Sequence, residues 1–453
     1  PTTAAVGAPS QQQLSVAALL VRCLETDFLK AVNMWPPLMQ RQNPHIAFQV
    51  VSAVAQALGL AVAQPTVAAA AGPSGSSSGL SGIPSGEFGQ AAATAIGTAA
   101  GAAANVLPAN ATVPAPTCVA AQAPAAAPAT PSAPSLASAV PLATAAANAA
   151  MAARVHQVMF REGVVEKLIA SLDVLSTVHY STPITLLARL VLHSNPFAKA
   201  FVDAGGLSQA KAALLLNRKV VSTTVVIEYL SILGHLVRLS KDWDGAIHQS
   251  KVYARLLELI TSTDAAIRAK CCNVIGNMCR HSDFFFDALL SSGLMAAVAK
   301  RCDDEDLGVR KFAGFAVGNA AFHSDKLYAV LSPCIPPLVA MLSHPDEKAR
   351  QNAAAAVGNL VRNGDKLIVR LLEAGALETL VHIMTQDVLA MRKSALVALA
   401  ALAGCEEVVP QRLIGLGIQE AIERLSDAMQ NAKQSDAAFG KYVSRLKSRC
   451  SLK

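Results

Sequence analysis

Residues 309–322 read VRKFAGFAVGNAAF. The same sentence returns as IRAKCCNVIGNMCR at 267–280 and as ARQNAAAAVGNLVR at 349–362. Their glycines fall at 276, 318 and 358, a register of 42 and then 40 residues. A weaker copy, MRKSALVALAALAG, places Ala400 another 42 residues on, and LSILGHLVRLS places Gly234 42 residues before Gly276. Apolar residues inside each copy recur at helical spacing. A helical repeat of this length stacks into an array in which each unit buries its apolar face against its neighbours alone. Anchor positions at 188, 234, 276, 318, 358, 400 and 440 predict six to seven units.

Around each anchor the unit reads as a short helix, a glycine turn, a second helix, an acidic loop and a long third helix. The turns contain Gly163, Gly205, Gly293 and Gly375. The loops contain Asp264, then Asp303, Asp304, Glu305 and Asp306, then Asp346 and Glu347. Acids there are expected to cap the long helix and to suit its positive N-terminal end. Pro336 and Pro337 stand where a second helix begins, a position that tolerates proline. Glycine inside a helix costs about 1 kcal/mol against alanine. Its recurrence at 276, 318 and 358 predicts close approach of neighbouring long helices.

Outside the array the composition changes. Residues 11–62 carry apolar residues at helical spacing, interrupted at Pro36 and Pro37, and predict a helical segment that either ends an upstream helical region or docks onto the array. Residues 63–143 are Ala, Pro, Gly, Ser and Thr with Glu87 alone charged, which predicts a disordered linker. Residues 91–107 are free of Pro and charge but too short and too weakly apolar for a membrane span. The solenoid is expected over 144–453. The chain opens on Pro1 instead of Met and reads as a piece of a longer protein. No secretory leader pattern is visible. Nine cysteines include no C-x-x-C pair, which reads as free, buried thiols in a reducing compartment. The net charge of +7 is a mild bias that permits an acidic partner surface without requiring one.

Catalytic patterns are missing. His281, Ser282, Asp283 and His323, Ser324, Asp325 are consecutive residues, which cannot supply triad geometry. The capping of the next short helix by Ser or Asp accounts for them. GSSSG at 75–79 lies in the linker without a strand before it or a helix after it. No H-E-x-x-H spacing, Walker loop or dinucleotide fingerprint occurs. No catalytic residue, metal ligand or cofactor is therefore expected, and neither nucleic acid nor membrane is an expected partner. Candidate partner-binding residues are Asn277, Asn319, Asn359, Arg310 and Arg350 in the long helices. For the asparagines a side chain-to-backbone bond between repeats is the alternative role. A second candidate is the basic C-terminal stretch with Lys441, Arg445, Lys447 and Arg449, whose other reading is the solvated face of a terminal unit.

Three helices per unit, with a D/E-A-G-A/G-L turn and a third helix ending near Gly-Asn, resemble the armadillo repeat more than the two-helix HEAT repeat. The fold expected is an all-α, right-handed armadillo/HEAT-type solenoid. In armadillo proteins that bind extended peptides, the asparagine ladder grips the ligand backbone and a Trp four residues earlier packs between. Here those earlier positions hold Asn273, Phe315 and Ala355, and Trp35 and Trp243 lie elsewhere. That departure argues against an importin-like cargo groove.

The run 309–381 goes further. Phe312, Ala313, the 317–320 sequence VGNA, His323, Ser324, the Pro336–Pro337 turn, Asp346, Ala353 and the 358–363 sequence GNLVRN resemble the C-terminal repeat region of the Fused family of serine/threonine kinases. The close match spans roughly 265–381. The resemblance implies a scaffolding tail that binds kinesin-like proteins or supports the central pair of motile cilia. It implies a place in a larger complex in the cytoplasm, on the cytoskeleton and in the ciliary or flagellar axoneme, with tubulin as a further partner. No H-R-D, D-F-G or Gly-rich loop with a strand Lys is present, so this chain is not expected to be an enzyme. The alternatives are the regulatory tail of an active Fused-type kinase and an importin-like peptide receptor.

Overall fold

A computed structural model describes residues 156, 157, 159–432 and 437–452. The readings of 11–62, 63–143 and the start of the array at 144 fall outside the described residues. Twenty α-helices follow one another among the described residues. The first unit contributes α1 (Val164–Ser171) and α2 (Ser181–His193). Six complete triplets follow. They are α3 (Asn195–Asp203), α4 (Gln209–Leu215) and α5 (Thr223–Leu239); α6 (Asp244–Gln249), α7 (Tyr253–Leu259) and α8 (Ala265–Met278); and α9 (Phe286–Ser291), α10 (Leu294–Arg301) and α11 (Leu307–His323). Next come α12 (Tyr328–Leu331), α13 (Ile335–Met341) and α14 (Glu347–Asn359); α15 (Ile368–Glu373), α16 (Ala376–Gln386) and α17 (Leu389–Leu402); and α18 (Val408–Gly415), α19 (Ile418–Asn431) and α20 (Ala437–Arg449). Every anchor position falls in the third helix of its unit.

Local chemistry sets these boundaries. Asp264 accepts from the N–H groups of Ala266 and Ile267, Asp306 from Val309 and Asp346 from Ala349, so three acidic loops do cap α8, α11 and α14. Ser222 caps α5 in the same way. Gly293 and Gly375 turn the chain into the second helix at φ 77° and 78°, a region that L side chains rarely adopt. In the third unit Lys251 takes that place at φ 55°.

The third helices pack side by side in one layer, α5 on α8, α8 on α11, α11 on α14, α14 on α17 and α17 on α20. Each is therefore flanked on two sides and covered by second helices on a third. That is why α11 buries Ala313, Phe315, Ala316, Val317, Ala320 and Ala321 around most of its circumference. A Cβ on Gly276 would lie 2.7 Å from the Phe315 ring and 2.9 Å from Ala316 Cα. On Gly358 it would lie 3.2 Å from Ala398 Cα, and on Gly318 3.5 Å from Ala356 Cα, an ordinary contact. Close approach thus requires glycine at 276, presses at 358 and leaves room at 318. The seven described cysteines are free, and six are buried; burial pushes the Cys272 thiol up to about 12. Among the described residues no helix is long and apolar enough to cross a membrane.

Candidate functional site

The long helices carry polar residues at both ends, and the two ends do different work. At the N-terminal end an arginine recurs at 268, 310, 350 and 392. Arg268 is only 4% exposed. Its Nε and Nη2 donate to the two oxygens of Asp304 in the next unit at 2.9 and 2.7 Å, and its Nη1 donates to the carbonyls of Ser262 and Thr263. Asp304 also accepts from Arg301 at 2.8 Å and from the Asp306 N–H. Burial works against the Asp304 charge, but the hydrogen bonds from Arg268, Asp306 and Arg301 hold its carboxyl below the ordinary value. Arg350 repeats the arrangement with Asp387 at 2.6 and 2.7 Å and with the carbonyls of His344 and Pro345. Arg310 donates only to the carbonyls of Asp304 and Glu305 in its own loop. Of the two arginines singled out in the sequence, Arg350 is thus a clamp between units and Arg310 a brace within one loop.

At the C-terminal end the ties run to backbone. Asn319 donates to Gly276 O and Asn359 to Gly318 O, both at 2.8 Å. Asn277 donates within its own helix to Asn273 O at 3.0 Å, and its side-chain oxygen is buried without a partner. Asn319 and Asn359 thus make the side chain-to-backbone bond between repeats, and Asn277 does not. Five residues after the anchors at 276, 318, 358 and 400 lies a second series, whose histidines the sequence offered only as neighbours of helix caps. His281 bonds Arg238 O at 3.0 Å, and His323 bonds Arg280 O at 3.1 Å. Asn363 donates to the carbonyls of Ala321 and Phe322 at 3.0 Å, and Cys405 reaches Val361 O at 3.8 Å. A carbonyl only accepts, so both imidazoles carry their proton on Nε2. The signal was present: polar residues at 281, 323, 363 and 405 share the register of the anchors. Their spacing ties repeats together, where the sequence suggested only helix capping nearby.

Between these ends, one stripe in and just after each third helix from α2 to α17 runs from buried residues (Asn277, Phe315, Asn319, Asn352) to exposed ones (Arg189, Arg362). Its rows lie one and four residues after the anchor and three and six before it. They hold Arg189, Arg238, Lys270, Arg280 and Arg362 against the single carboxylate Glu228. Arg189 and Lys270 flank that carboxylate, whose pKa burial raises and the two cations pull back. The Arg362 guanidinium stacks 4.1 Å above the Phe322 ring. The four-after row thus reads Arg238, Arg280, Phe322, Arg362 across four consecutive units. In the last unit, Lys441, Arg445 and Arg449 of α20 are exposed and Lys447 is half-buried, while Leu446 and Cys450 anchor the helix.

No group of His, Cys, Asp and Glu able to hold a metal occurs among the described residues. One perturbed cluster lies outside the ladder. Asp244 opens α6 and is 6% exposed, with Oδ1 unpartnered. Burial and then the Asp242 charge push its carboxyl up to about 6, against the pull of Lys241. Tyr253 nearby is pushed up to about 12 by burial and then by Asp244, and its hydroxyl meets His248 Nδ1 at 2.7 Å. No nucleophile and no oxyanion donor converge there, so the cluster lacks the roles that turnover requires.

Comparison with known proteins fits this geometry. A profile of the armadillo/beta-catenin-like repeat matches residues 325–362, which span the unit α12–α14. Serine/threonine-protein kinase TIO of Arabidopsis thaliana is 36% identical over 228 residues, 50% of this chain and 17% of that protein. Serine/threonine-protein kinase 36 of Pongo abelii is 30% identical over 254 residues, 54% of this chain and 19% of that protein. Over about half of its length the chain is homologous to Fused-like serine/threonine kinases, and it spans less than a fifth of either relative. The crystal structure of an engineered protein superposes with a TM-score of 0.59 at 23% identity, over 67% of this chain and 74% of the other, a likeness of fold. The chain is an armadillo-type α-solenoid, an architecture that points to protein binding and to a non-catalytic region.

Proposed function

We propose that the chain is a docking scaffold in which the third-helix face holds a segment of another protein, within a Fused-type tail that assembles on microtubule structures. The observation that carries the scaffold is the unbroken layer α2, α5, α8, α11, α14 and α17, in which six third helices stand side by side. A surface built of rigid repeats recognises an extended ligand with little ordering of its own side. The homology to two kinases supports the wider setting, with kinesin-like proteins, axonemal central-pair proteins and tubulin as partners and the ciliary or flagellar axoneme as location. Affinity purification with the full chain as bait tests it. Enrichment of kinesins or axonemal proteins is the expected result. A catch of nuclear transport cargo alone would overturn it.

A second reading is favoured by the same homology: the scaffold serves as the regulatory tail of an active serine/threonine kinase. On this reading, addition of the chain in trans to a Fused-type kinase domain changes its rate of substrate phosphorylation. An unchanged rate over a full titration removes it.

A further inference from the structure

Arg280 is 8% exposed, and its Nη1 is buried without a hydrogen-bond partner. No residue among those described forms an ion pair with it. A buried guanidinium without a countercharge costs several kcal/mol, and native proteins ordinarily answer it with a carboxylate. Twelve residues earlier, inside α8, Arg268 has that answer in Asp304. Arg280 faces more positive charge instead: burial and then the nearby Arg238 both push its pKa down. Arg238 itself is half-buried and donates to His235 Nδ1 at 3.0 Å. Burial and then Arg238 hold that imidazole down at about 4, so His235 is neutral near pH 7 and adds no charge to the row. Of the acids in the adjoining loops and short helices, Asp287 pairs with Lys326 and Asp325 with Lys366, while Asp283 and Asp365 stand beside Arg280 and Arg362 in sequence without an ion pair to them among the described residues. The one carboxylate of the stripe, Glu228, stands between Arg189 and Lys270.

We propose that the third-helix face takes an extended acidic segment of a partner protein, with Arg280 as its central anchor and Arg238 and Arg362 on either side. The proposal rests on the scaffold reading above and names the chemistry of its ligand. Spacing supports an extended ligand. Packed helices lie roughly 8–10 Å apart, and a polyproline-II chain advances about 3.1 Å per residue with three residues per turn, so every third side chain returns to the same face about one unit further on. Carboxylates about three residues apart would meet Arg238 and Arg280. The Phe322 ring, capped by Arg362, offers the next unit an apolar and then a cationic surface. The sign of the face is opposite to that of a groove for basic peptides: a lysine-rich segment would meet five cations and one carboxylate already flanked by two of them.

The test uses the full chain and a fluorescein-labelled peptide of glutamates spaced by glycines, with a lysine-for-glutamate counterpart as control, followed by anisotropy at low salt. The glutamate peptide is expected to saturate, to weaken as salt rises, and to lose about tenfold in affinity in each of Arg280→Gln and Arg238→Gln. Lys300→Gln, exposed on the second helix α10, is expected to leave binding unchanged. A purely structural role for Arg280 predicts a lower melting temperature in Arg280→Gln; the anchor role predicts a melting temperature equal to or above the wild type, since an unanswered charge has been removed. Equal or tighter binding of the lysine peptide, no saturable signal with glutamate, or unchanged affinity in both arginine variants would each overturn the inference. If the glutamate peptide fails while affinity purification still enriches specific partners, the scaffold stands and its acidic ligand falls. If both fail, the scaffold falls as well.

Discussion

One buried arginine lies in the first turn of α8 and another two residues past its end, and only one of them is answered. Arg268 at the N-terminal end has three carboxylate bonds, two to Asp304 and one to Glu305, and two carbonyl bonds, all within 3.2 Å. Arg280 at the C-terminal end has no side-chain partner among the described residues. The end that joins units is electrostatically closed, and the end that borders the open face is left unsatisfied. Burial alone does not separate a structural arginine from a binding one; the presence or absence of its counterion does.

The sharpest way to break this contrast is to open the closed end. Asp304→Ala leaves Arg268 buried without its carboxylate and is expected to cost about 3–5 kcal/mol. Loss of hydrogen-exchange protection along α8 and α11 is the measurement, and unchanged protection would put the clamp among decorative surface pairs. Replacing Arg268 and Asp304 together by Met and Leu is expected to cost far less, because no charge is then stranded.

Acidity reads the same contrast through two carboxylates of opposite sign. The Asp304 carboxyl is depressed, so its contribution is present above the ordinary carboxylate range and is lost as pH falls through it. The Asp244 carboxyl is raised to about 6, so its protonated form suits the fold; its contribution is present below about 3.8 and is lost as pH rises through about 6. Asp244→Asn is accordingly expected to raise stability at pH 8 by on the order of 2–3 kcal/mol and to change little at pH 4. Thermal melts of wild type and variant across that range decide it, and parallel curves would contradict it.

Steric closure of the same joint comes next. Gly276→Ala drives a Cβ to 2.7 Å from the Phe315 ring and is expected to destabilise by about 1–3 kcal/mol. Gly318→Ala meets only ordinary contacts and gains up to about 1 kcal/mol of helix propensity. Paired melts should move in opposite directions; equal losses would show that both glycines serve backbone approach alike. The smallest effect belongs to Lys251→Gly, which relieves a side chain held at φ 55° and is expected to stabilise by less than about 1 kcal/mol.

Much of this was legible in the sequence. The anchors at 234, 276, 318, 358 and 400 located five third helices, and the loop acids Asp264, Asp306 and Asp346 are the caps their position predicted. Asp304, from the same acidic run, behaves differently: it turns inward to Arg268, because a run of four acids does not say which one the next repeat covers. Likewise Arg310 and Arg350 stand in matching places, yet only Arg350 finds a carboxylate, Asp387, across the joint. Periodicity fixes where a side chain starts and not what the neighbouring unit offers it. The series His281, His323, Asn363 and Cys405 escaped notice because four residue types fill one role, and only the shared carbonyl partner unites them.

That series also sets the mechanics of the array. The joint between α8 and α11 is held at one end by Arg268–Asp304 and at the other by Asn319 and His323. Between α14 and α17 the clamp Arg350–Asp387 remains, but Ala401 replaces the amide and the last tie is the long thiol contact of Cys405. Under tension along its axis the solenoid is a row of springs in series, and its compliance concentrates in the softest. Stretching by a moving partner would strain the joint of α14 against α17 before that of α8 against α11.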